Sequence, residues 1–166
     1  MTAHLLMIVF PLLMLYAAAM DILTMRIANN ISIALVLTFF LVAPLAGFSV
    51  EQMLAHLAIG LAVLAIMVLL FHFRFIGGGD AKILAAASLW VGYEQLVPFL
   101  VAIAVFGGLL AVLILAFRRA PASALPLPGW ALRLHQRGGA IPYGVAITAG
   151  ALFVYPMTAV PQLLGS

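Results

Sequence analysis

Six apolar runs, separated by short polar or turn-rich punctuations, organise this chain from end to end. They cover about residues 5–20, 31–47, 53–73, 81–91, 96–117 and 140–160, the fourth being the shortest. A spanning helix needs about 20 apolar residues. The pattern therefore predicts an all-α, polytopic membrane protein, a bundle of six transmembrane helices forming one domain over 1–166. The opening Met1-Thr2-Ala3-His4 lacks the basic stretch of a signal peptide, although Ala17-Ala18-Ala19 resembles a cleavage site, so the first run is read as a retained span. Pro121–Gly129, with three prolines, reads as a loop. Trp130 to Arg137 mixes Trp and Leu with Arg, which fits a short amphipathic helix at the interface or a plain basic loop.

Composition narrows the function classes. Of 166 residues, 67% are hydrophobic and only 7% charged, whereas soluble domains carry about 25% charged residues. A soluble enzyme is excluded on that ground. The absence of cysteine removes disulfides, cysteine zinc sites and thiol nucleophiles. Seven basic residues dispersed among apolar runs make no continuous basic face, so no nucleic-acid partner is expected; the partner of the surface is the lipid bilayer.

The placement of those charges sets an orientation. Arg26 lies in the first loop, Arg74 and Lys82 around the third, and Arg118, Arg119, Arg133 and Arg137 in the fifth. All seven fall in alternate loops, so the positive-inside rule puts these loops in the cytoplasm and both termini outside. Glu51 and Glu94 fall in the outside loops.

That leaves Asp21 and Asp80. Asp21 follows the first apolar run, and Asp80 closes Phe75-Ile-Gly-Gly-Gly-Asp80 before the fourth. Both lie at the cytoplasmic edge, where two helices of a compact bundle can bring them together. Carboxylates held a few ångströms apart cannot both ionise easily and share a proton. One can then activate water while the other, protonated, polarises a peptide carbonyl. Each Asp could equally just end a helix near water. Gly77, Gly78 and Gly79 permit unusual backbone geometry and close approach of another chain, which suits a site for an extended peptide; a flexible hinge is the plainer alternative.

At these residues the chain resembles a known family. Gly77-Gly78-Gly79-Asp80-Ala81-Lys82-Ile83-Leu84 looks like the Gly-x-Gly-Asp motif, with its following Lys, of the type IV prepilin peptidases. The segment Asp21 to Asn30 resembles that family's other aspartate segment, and Ile141-Pro142-Tyr143-Gly144-Val145-Ala146-Ile147 its C-terminal segment. The resemblance implies an intramembrane aspartyl endopeptidase of the bacterial inner membrane, with Asp21 and Asp80 catalytic. It implies prepilin and pseudopilin substrates, cut at the cytoplasmic face between a short basic leader and an apolar helix. The size is similar to the small members found with tight-adherence (Flp) pili. Larger relatives carry an N-terminal cysteine-bearing zinc segment and also methylate the new N-terminus; its absence here leads us to expect cleavage without methylation.

Two departures stand out: Ile27-Ala28-Asn29 lacks the family's proline, and Ser88 replaces an expected glycine. Among the remaining candidates, Lys82 either tunes a carboxylate or steadies the loop, or else simply anchors the helix at the interface, and Arg26 is read in the same ways. Asn29 either bonds the first loop or caps the second helix. Pro142, Tyr143 and Gly144 are expected to shape the sixth helix near the site. Gly107-Gly108, and Ala146 with Gly150, read as close-packing surfaces. The four histidines show no ligand spacing. A metal site from His72, Asp21 and Asp80 is the alternative weighed; no metal or other cofactor is expected. Two other function classes remain, a small proton-coupled transporter and a non-catalytic subunit of a secretion or pilus assembly.

Overall fold

The computed structural model describes residues 2–119, 128–136 and 138–165. Most of the proline loop at 121–129, and Arg137, therefore lie outside the described residues. All six apolar runs fold as helices: α1 (Thr2–Thr24), α2 (Asn29–Leu45), α3 (Val50–His72), α4 (Gly78–Val91), α5 (Leu96–Arg119) and α7 (Tyr143–Val154). Between the last two lies α6 (Gly129–His135), so the Trp130 segment is helical rather than a plain loop. After α7 a 3-10 turn over Tyr155–Met157 leads into α8 (Ala159–Gly165).

Span length divides these helices. Four apolar stretches are long enough to cross a membrane: Leu6–Thr24, Val50–His72, Leu96–Arg119 and Tyr143–Leu164, the last joining α7 to α8. Helix α2 has 17 residues and α4 has 14, so the six predicted runs divide into four long helices and two shorter ones. The reason is visible for α4. From Ile83 to Val91 every residue is buried, packed against α3, α2 and α7. A helix walled in by other helices has no lipid thickness to match, and its alanines let neighbours come close.

The helix ends follow from local sequence. Met25 takes φ 55° and returns its N–H to the Asp21 carbonyl at 2.8 Å, which closes α1. Ser49 and Gln52 form a reciprocal capping box that starts α3. Helix α4 stops at Gly92, with φ 74°, where an added Cβ would sit 2.5 Å from the His56 ring.

Three polar side chains inside the bundle reach carbonyls of other helices. Trp90 Nε1 donates to Leu35 O at 2.8 Å and Thr148 Oγ1 to Met14 O at 2.9 Å. His56 Nδ1 lies 2.7 Å from Leu89 O. Ser88 is buried and bonds Leu84 O within α4, so the small residue is accommodated where a glycine was expected. Large apolar side chains such as Leu12, Leu41, Val105 and Val112 point outward, as a lipid-facing surface requires.

Candidate active site

Asp21 sits one turn before the end of α1 rather than after it, and is 6% exposed. Its Oδ2 accepts the backbone N–H of Gly144 at 2.8 Å, in the first turn of α7. That contact requires glycine. A Cβ at Gly144 would lie 2.8 Å from the same Oδ2 and 2.7 Å from Ile27 Cδ1. Pro142 is the N-cap of α7, with φ −71° and ψ 85°, so the N–H of Gly144 lies in the first turn, where it has no partner within the helix. Tyr143 lies against Gly107, where a Cβ would meet its ring at 2.9 Å. Gly108 faces open space, so only half of the expected Gly107-Gly108 packing surface packs. Gly150 does pack, against Ile103, and Ala146 is buried.

Asp80 occupies the first turn of α4. Of the triple glycine, Gly78 and Gly79 already belong to α4, and Gly77 is its N-cap. Their small size is used for close approach. A Cβ at Gly79 would be 3.3 Å from Ile27 Cβ, one at Gly78 3.2 Å from Phe71, and one at Gly77 3.0 Å from Asp80 Oδ2. Glycine here lets the loop between α1 and α2 lie on the start of α4.

Together these elements enclose a cleft of about 620 Å³, lined by both aspartates, by residues 24–29 and by Gly77–Gly79. Asp80 lies outside the four long spans. Burial, and then the Asp21 charge, push its carboxyl up from 3.8 to about 6. Among the described residues no Lys, Arg or His lies within ion-pair distance of either acid. Lys82 instead donates Nζ to Asn29 Oδ1 at 2.8 Å, strapping α4 to α2 beside the cleft. That bond corrects the capping role for Asn29, because the N-cap of α2 is Ala28 and has no side-chain bond. Arg26 lines the cleft. His72 lines a neighbouring depression with Arg74 and Phe75.

Two basic residues that the sequence marked only as interfacial charges hold the surroundings in place. Arg118 donates to Leu134 O at 2.8 Å and to Gly139 O at 2.9 Å, fixing the approach to α7. Arg133 donates to Leu23 O, tying α6 to the last turn of α1. A basic side chain on a helix's final carbonyls is electrostatically favoured, but a partner 110 residues away leaves no local signal.

Residues 8–112 match the family described as the type IV leader peptidase family. The match spans well over half of the chain and contains both aspartates. The chain belongs to that family. Membership makes it a peptidase, and its long apolar helices make it a membrane protein. The leader-peptidase match ends within α5, so the Ile141–Ile147 segment lies beyond it, although the structure brings Gly144 onto Asp21. No curated protein and no solved structure matches the chain.

Proposed function

We propose that Asp21 and Asp80 are the catalytic pair of an aspartic endopeptidase that removes the leader from prepilins and pseudopilins. The observation that carries this reading is the shared cleft: two carboxyl groups line it, close enough for one charge to act on the other, and among the described residues neither is ion-paired, although Arg26 lines the same cleft. Such a pair holds one proton between two oxygens. The ionised carboxylate takes a proton from water as the oxygen attacks the scissile carbonyl carbon. The protonated partner donates to the carbonyl oxygen, giving a neutral gem-diol. As the C–N bond breaks, the protonated aspartate gives its proton to the leaving nitrogen and one gem-diol hydroxyl gives its proton to the ionised aspartate, so the pair ends with its single proton.

The surrounding chain supports this chemistry by position. Gly144 N–H holds Asp21 in one orientation, and Gly77 leaves room for Asp80 Oδ2. Lys82 with Asn29, and Pro142 with Tyr143, fix the helices that carry these groups.

The proposed orientation puts the cleft at the cytoplasmic face of the bacterial inner membrane, with both termini outside. Its support is that Arg26, Lys82, Arg118 and Arg133 all gather at the aspartate end through the contacts above. Glu51 and Glu94 line a small cavity at the other ends of α3 and α4. We propose cleavage without methylation, because these 166 residues hold no cysteine for a zinc segment. The resemblance favours Flp-type prepilins as substrates.

The test is a reaction with purified protein in lipid nanodiscs and a synthetic prepilin, read by mass spectrometry. The expected products are the basic leader and an unmodified mature N-terminus. An intact prepilin after prolonged incubation overturns the reading.

A further inference from the structure

Helices α2 and α3 both pack on α4 but scarcely touch each other. The gap between them is an apolar groove of about 480 Å³. Its lining repeats one spacing on three helices. Helix α3 contributes Leu57, Gly60, Leu61 and Leu64, and α4 contributes Lys82, Ala85, Ala86 and Leu89, each at i, i+3, i+4 and i+7. Helix α2 adds Asn29, Ile33 and Leu37 at steps of four. Three stripes of helical period facing one space form a seat for a fourth helix.

We propose that this groove receives the apolar helix that follows the substrate's leader; the proposal rests on the leader-peptidase reading above. Continuity with the cleft fixes the occupant. Asn29 lines both spaces, and Lys82 at the groove's end is bonded to it. A helix lying in the groove therefore begins where the two acids are and runs alongside α4 toward Leu89. From Lys82 to Leu89 the seat is about 10 Å long, two helical turns. Ala85 and Ala86 form the floor, and both are buried. Small residues there let a helix backbone come close, as membrane helix pairs do.

Seating the helix orders the leader junction over the cleft, so the groove supplies positional specificity while the acids supply the chemistry.

The experiment is photocross-linking. A benzophenone amino acid is placed at Leu61 or Leu37, both exposed groove positions, or at Val105 on α5 as an outward control. Each is made in the Asp80→Asn background and co-expressed with a tagged prepilin. The expected result is a prepilin adduct from positions 61 and 37, mapping to the first turns of its apolar helix, and none from position 105. Lipid adducts alone at 61 and 37, or equal prepilin adducts at 105, overturn the groove proposal. In parallel, Leu61→Trp, which fills the groove from its exposed wall, is expected to raise KM about tenfold with kcat little changed; an unchanged KM contradicts it. The unsubstituted chain is assayed beside them. If that chain fails to cut the prepilin, the underlying function falls; if it cuts while the groove positions stay silent, only the groove falls.

Discussion

Asp21 Oδ2 accepts the N–H of Gly144 at 2.8 Å across 123 positions of sequence. The bond joins the end of α1 to the start of α7 and leaves no space at Gly144 for a methyl group. Gly144→Ala is therefore expected to displace the Asp21 carboxylate and lower kcat/KM at least tenfold. Overpacking of this kind costs about 1–3 kcal/mol of stability, so the variant should still fold. Prepilin-cleavage kinetics beside a thermal melt check it; wild-type kinetics with an unchanged melt would count against the contact.

Gly107 and Gly108 are neighbours on α5 with opposite surroundings. Gly107→Ala pushes its methyl into the Tyr143 ring at 2.9 Å, whereas Gly108→Ala meets nothing within 4 Å. An exposed helical Gly→Ala change stabilises by about 1 kcal/mol. Gly108→Ala should therefore raise the melting temperature and leave cleavage intact. Gly107→Ala should lower both, since Tyr143 adjoins Gly144. Differential scanning fluorimetry and cleavage rates on the two variants decide it.

The Asp80 carboxyl is raised from 3.8 to about 6, by burial first and the Asp21 charge second. The folded state thus binds a proton that the unfolded chain releases, and stability declines as pH rises through that interval. Above about 6 the folded protein carries the full cost of two charges. Asp80→Asn is accordingly expected to melt higher than wild type at neutral pH, with the gap closing as the buffer approaches the ordinary carboxylate range. In the active protein, kcat/KM should fall on the alkaline side of about 6, as the pair loses its shared proton. A flat profile from acid to mildly alkaline buffers would contradict the shared proton.

Orientation carries its own test. Reporter fusions in the loop between α5 and α6 should read as cytoplasmic, and fusions beside Glu94 as periplasmic. The reverse pattern would move the cleft to the other side of the membrane.

Much of the fold was legible because lipid forces apolar runs to become helices, and all six runs did. What the runs did not disclose was rank. Ala81–Val91 reads as one more span, only shorter, yet α4 is enclosed, because its alanines pack against helices instead of lipid. At the site, Asp21 and Asp80 stood out by rarity in an apolar chain, and Gly77–Gly79 by running three together beside an acid. The purpose of the glycines did not: Gly79 serves contact with Ile27, a partner 52 positions earlier. The Lys82–Asn29 strap and the carbonyl clamps of Arg118 and Arg133 were equally hidden. Each joins separate segments of the chain through one side chain, with no periodic signature to reveal it.

The central claim is that two carboxyl groups of one cleft do the chemistry. Prepilin processing in cells expressing wild type, Asp21→Asn or Asp80→Asn, each at equal membrane abundance, tests it most directly. The account expects mature pilin with the wild type and only full-length prepilin with either variant. Mature pilin in either variant would contradict it.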